Sequence, residues 1–167
     1  MKTEIISNLF ESGGLIIHES SEKSIFDFEY AEIITLFEKY GTILFRGFEL
    51  NANMLTEFTD IYTEKYSGDA LRREIRFNNK NIRNVDYGLE EALLHSESSF
   101  APSFPEIIWF FCNTPATVGG ETILCDGLKL WNMLSSKIKQ FFLSEQIHYE
   151  IKIPVITHLL IKLNPDY

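Results

Sequence analysis

An α+β fold is predicted by this sequence from three observations. Helix-period and strand-period apolar runs alternate along the first half, strand-like runs gather after residue 93, and no unit is repeated. At 167 residues and 45% hydrophobic content, the chain suffices for one sizeable core and is too short for two ordinary ones, so residues 1–167 read as a single domain. Fourteen Phe offer ample apolar area to offset the entropy of ordering the chain, which argues against extensive disorder.

Taken in order, Phe28, Ile33, Ile34 and Phe37 recur at helical spacing, Asp27 stands where a cap is needed, and Gly41 follows as a stop. A helix is therefore predicted over about 28–40. The run Thr42-Ile43-Leu44-Phe45-Arg46-Gly47-Phe48 is β-prone, and Leu55, Phe58, Ile61 and Tyr62 place a second helix at about 54–66. From Ser67 to Glu91 the chain is polar and rich in Gly and Asn, as suits a surface segment around a site. Strands are expected at Leu93–His95, Glu106–Cys112 and Thr122–Cys125, the last two joined as a hairpin through Pro115 and Gly119-Gly120. A third helix, about 128–143, places Leu130, Trp131, Leu134, Ile138, Phe141 and Phe142 largely along one side. Two β-prone runs, 147–153 and 155–163, follow it.

The net charge of −9 and pI near 4.9 repel phosphate backbones and anionic headgroups, and no basic stripe opposes that field. Nucleic acid and membrane partners are thereby disfavoured. The first residues, MKTEIISNLFESGG, are broken by Glu4, Ser7 and Asn8 and form no export signal, and no run reaches membrane-spanning length. A cytoplasmic setting is expected, with Cys112 and Cys125 as free thiols buried like small hydrophobes.

Chemistry enters at His95-Ser96-Glu97. Residues two apart on a strand project to one face, so an imidazole and a carboxylate there can reach the same ion. A bare pair of this kind is common by chance and reads equally well as an exposed strand-edge pair.

Its surroundings are more specific. The stretch HSESSFAPSFPEIIWFFCNTPATVGGETILCDG, with GTILFRGF and an amphipathic helix upstream, resembles the taurine dioxygenase (TauD/TfdA-like) family over about residues 28–145. That resemblance implies a double-stranded β-helix, the clavaminate synthase-like jelly roll, flanked by N-terminal helices. It implies Fe(II) held by His95 and Glu97, 2-oxoglutarate as cosubstrate supported by Thr122, and oxidation of an unactivated C–H bond of a small molecule. Hydroxylation, desaturation and cyclisation all remain open. Halogenation is disfavoured, because the halogenating branch replaces the carboxylate by a small residue. The segment from Ser67 to Leu94 is expected to line the entrance, with Arg83, Asn84 and Phe100 as candidate substrate contacts.

The family completes its site with a late His and an Arg that grips the distal carboxylate of 2-oxoglutarate. All five arginines here, Arg46, Arg72, Arg73, Arg76 and Arg83, precede His95. His158 with Lys162 is the compact substitute, and His148 ranks below it because Ile147, Tyr149, Ile151 and Ile153 read as the buried face of its strand. The expectation is a partial jelly roll whose C-terminal strands are missing. Its open edges would then call for self-association, a domain swap or a complementing second chain. Three readings follow: an oxygenase incomplete as a single chain, a non-catalytic binding or accessory protein on the same fold, or an α+β domain in which His95 and Glu97 share no role.

Overall fold

A computed structural model describes residues 2–5, 13–20, 24–67, 73–85, 93–99 and 104–150. Expectations for Phe100, His158, Lys162 and the run 155–163 lie outside those residues. The chain divides into two compact units, Met1–Asn132 and Met133–Tyr167.

The first unit is built on a three-stranded sheet, β1 (Lys2–Ile5), β2 (Leu15–His18) and β3 (Ile43–Arg46), in that order. The β1–β2 pair is antiparallel and the β2–β3 pair parallel, with Leu15 opposite Ile43 and His18 opposite Arg46. A parallel pair needs a crossover, and α1 (Tyr30–Tyr40) supplies it. Gly41 ends α1 at φ 70°, its amide donating to the Phe37 carbonyl, as the sequence predicted. Asp27 takes a different role from the expected one. It closes a capping box with Ser24 around the 3-10 turn Ile25–Asp27, and α1 starts from Glu29 without a side-chain cap. Gly47 turns the chain out of β3 at φ 91°, where a Cβ would come within 3.2 Å of Glu19 Cβ.

The second helix, α2 (Ala52–Asp60), is capped by Asn51, whose Oδ1 accepts from the Asn53 and Met54 amides. It is shorter than the expected 54–66. The Ile61 amide tightens onto Phe58 and Thr59, and Tyr66 folds back to donate to Asp60 Oδ1 at 2.7 Å. One face of α2 seals the core with Phe58, 2% exposed, against Leu15, Ile17, Ile25, Phe28 and Ile33. Burying a Phe or Ile side chain contributes roughly 1.5–3 kcal/mol, so this cluster carries the unit.

A hairpin of β4 (Ile75–Arg76) and β5 (Asn79–Arg83) follows, within the segment expected to be irregular. Its connection places Phe77 at φ 55° and Asn78 at φ 56°, the paired left-handed residues of a tight hairpin turn. Asn tolerates this; Phe does so at a cost of roughly 1–2 kcal/mol. Asn79 Nδ2 donates to Thr56 Oγ1 at 2.9 Å and ties the hairpin to α2.

The expected hairpin of 106–112 with 122–125 does not form, and Leu93–His95 carries no strand; among the described residues these runs join no ladder. Gly119 and Gly120 do turn the chain, at φ 70° and 77°. Period-two burial persists along 105–111, where Pro105, Ile107, Trp109 and Phe111 are half-buried and the residues between them exposed. Alternation only makes a strand eligible; a ladder also needs a neighbouring row of backbone donors and acceptors. Cys112 and Cys125 are free as expected but exposed rather than buried.

The predicted third helix is two helices. The first, α3 (Gly127–Met133), is capped by Asp126, whose Oδ1 accepts from the Leu128 and Lys129 amides at 3.0 Å. The second, α4 (Ser136–Ser144), belongs to the second unit and is capped by Ser135, which breaks the run because its hydroxyl takes the Ile138 amide. Beyond α4, Ile147 and Tyr149 are exposed, so the buried face expected there is not found over 147–150; residues 151–153 lie outside the described set.

Candidate functional site

His95 and Glu97 lie on a loop rather than a strand. Residues 93–96 are irregular and 97–99 turn, the Ser99 amide donating to the Ser96 carbonyl at 3.4 Å. His95 is exposed and Glu97 half-buried. His95 Nδ1 lies 2.6 Å from the Leu93 carbonyl. A carbonyl only accepts, so Nδ1 carries the proton and Nε2 of the neutral ring keeps its lone pair. Metal-binding imidazoles are commonly fixed in this way, by a second partner on the other nitrogen.

Directly after Glu97, Ser98 is buried at φ 52°. A left-handed non-glycine residue costs roughly 1–2 kcal/mol, and such strain collects at functional sites. Neither the Leu93 carbonyl nor the Ser98 backbone was legible beforehand, because both are properties of the main chain and no side-chain pattern signals them.

The donor chemistry of His95 and Glu97 suits Fe(II), and both side chains are accessible in part or whole. Among the described residues, no group of three or more His, Cys, Asp or Glu is placed to hold an ion. His148 is exposed in the second unit. Thr122 is exposed on the coil before α3, within the first unit.

Arg83 and Asn84 come together on the β4–β5 hairpin, where both brace it. Arg83 Nη1 donates to the Arg73 carbonyl at 3.0 Å, and Asn84 Nδ2 donates to Glu74 Oε2 at 3.1 Å. The run after the candidate site is anchored by Trp109, whose ring sits 5.8 Å from Phe58 and 5.7 Å from Tyr62. Its indole N–H is buried without a hydrogen-bond partner among the described residues. The sequence reading missed Trp109 as the link between this run and the core; its place in an alternating apolar run was the available signal. Tyr62 titrates above its ordinary range, chiefly through burial, then through Tyr30 and Glu32.

The family model for the taurine catabolism dioxygenase TauD, TfdA family matches residues 19–156, and this chain belongs to that family. The dapdiamide synthesis protein DdaC of Enterobacter agglomerans is 24% identical over 142 residues, which make up 81% of this chain and 43% of that protein. The chain thus spans less than half the length of this curated relative. No solved structure matches it.

Proposed function

We propose that the chain supplies the His-x-Glu part of an Fe(II)- and 2-oxoglutarate-dependent oxygenase centre, acting on a small molecule within the jelly roll typical of its family. The observation that carries this reading is the His95–Leu93 contact, which leaves Nε2 as the free donor two residues before a carboxylate. His95 Nε2 and Glu97 would hold the metal, and the Thr122 hydroxyl would donate to a carboxylate of 2-oxoglutarate. Bound iron would supply the chemistry by which dioxygen, taking four electrons, oxidises 2-oxoglutarate to succinate and carbon dioxide and a substrate C–H bond in the same turnover. The chain's own share is to fix the imidazole tautomer through the Leu93 carbonyl and to place the carboxylate through the turn at Ser98. Arg83 and Asn84 would reach substrate only while still bracing their hairpin. Exposed free thiols at Cys112 and Cys125 suit a reducing, cytoplasmic setting.

A second reading is a non-catalytic binding or accessory protein on the same fold. Succinate formation separates the two. The oxygenase reading expects iron-dependent succinate from 2-oxoglutarate, lost in His95→Ala; the accessory reading expects none under any loading.

A further inference from the structure

We propose that the tip of the β4–β5 hairpin is a docking point for an acidic polypeptide segment, held by Arg76 and Lys80 around the exposed ring of Phe77. Charge is distributed unevenly along this chain. Residues 73–83 set Arg73, Arg76, Lys80 and Arg83 against the single acid Glu74, a local charge of +3, which leaves −12 on the other 156 residues. The net charge masks this patch. At physiological ionic strength fields are screened within about 8 Å, so a partner arriving at the tip meets the local cations first. Glu74 cancels little of their charge, because its 3.7 Å pair with Arg76 joins side chains 58% and 45% exposed.

Phe77 adds an apolar element at the same place. It sits in the turn at φ 55°, an angle that Gly or Asn adopts more readily, and its ring is 46% exposed. Burial within the chain therefore offsets little of the strain, and strain of this kind collects at ligand clamps and switch regions. The Arg76 guanidinium lies 5.9 Å from the centre of the Phe77 ring, and Ile75 is a further 46% exposed apolar residue beside them. Behind the tip, the Asn79–Thr56, Arg83–Arg73 and Asn84–Glu74 hydrogen bonds brace the hairpin. The tip is thus presented already ordered, which lowers the entropy cost of docking.

An acidic polypeptide is the occupant these features select. Residues 74–78 are all exposed, so the ring and the cations stand on an outward turn, which only a partner with a surface of its own can cover. Nucleic acid and anionic membranes present extended negative surfaces that would also meet the −12 beyond the hairpin. A second copy brings the same net −9 to the encounter. A short acidic segment with apolar side chains avoids both penalties, and an aromatic ring beside Arg is the kind of anchor that protein interfaces favour.

Nuclear magnetic resonance on the isotope-labelled full chain tests this, with a short peptide of Glu residues around a central Leu pair as probe. The peptide should shift the amides of Arg76, Phe77 and Lys80, and should be released as salt is raised. Arg76→Glu with Lys80→Glu should weaken binding at least about tenfold. Phe77→Gly should do so through loss of the ring alone, since glycine accepts the left-handed angle and unmoved Asn79 side-chain resonances would show the hairpin intact. Lys39→Glu, on α1, should leave binding unchanged. Absence of shifts at the tip, parent-like affinity in either hairpin variant, or an equal loss in Lys39→Glu overturns the proposal. So do matching shifts from free glutamate at the same carboxylate concentration, from duplex DNA or from phosphatidylglycerol vesicles. Tip shifts in the chain alone that grow with its concentration overturn it as well, since a second copy is then the occupant.

Discussion

Ser98 shows how a single backbone angle bears on the candidate site. A β-branched side chain is poorly tolerated at its φ of 52°, so Ser98→Val should destabilise the chain by about 1–3 kcal/mol, read by urea denaturation. Ser98→Gly should stay within about 1 kcal/mol of the parent, because relieved strain offsets added chain entropy. Tyr66 gives a pH dependence. Burial first, and then its hydrogen bond to Asp60, raises its phenol above the ordinary range of a tyrosine. A group whose folded-state pKa is raised contributes stability that is fully present below the unfolded value and lost as pH rises through the folded one. Denaturation midpoints should therefore fall at alkaline pH, above about 10, and Tyr66→Phe should flatten that fall.

Elements whose signals are local were legible in the sequence. The apolar spacing of α1, its Gly41 stop and the Ile43–Arg46 strand all emerged because each is encoded within a few neighbouring residues. Strand β2 escaped because Leu15–His18 is four residues long and owes its place to a partner 28 positions away, as the Leu15–Ile43 register shows. Pairing of 106–112 with 122–125 was expected from two β-prone runs and the turn residues Pro115 and Gly119-Gly120, which are signals of strand propensity and of a turn but not of a ladder neighbour. Two substitutions test the packing that does exist. Phe58→Ala should cost about 3–5 kcal/mol, because it empties the centre of the aromatic cluster. Trp109→Phe should fall within about 1 kcal/mol of the parent, since lost ring area is offset by removing a buried indole N–H that has no partner among the described residues. Chemical denaturation of both variants checks the contrast.

For the molecule as a whole, the family was legible and the complete centre was not. His95 and Glu97 are proposals from spacing and resemblance, and Thr122 from resemblance alone; a facial metal site is a meeting of distant segments, and among the described residues no group of three or more His, Cys, Asp or Glu is placed to hold an ion. Charge acts at this scale as well: near the pI of 4.9 the net repulsion of −9 is gone, and solubility should reach its minimum there in a turbidity titration. The central claim is that His95 and Glu97 bind iron together. Anaerobic calorimetry with Fe(II) addresses it most directly, comparing the parent chain with His95→Ala and Glu97→Gln. A metal ligand should matter at least as much as the partners that orient it, so each variant should lose at least about tenfold in affinity. Equal binding by all three proteins, or no binding by the parent, would contradict the claim.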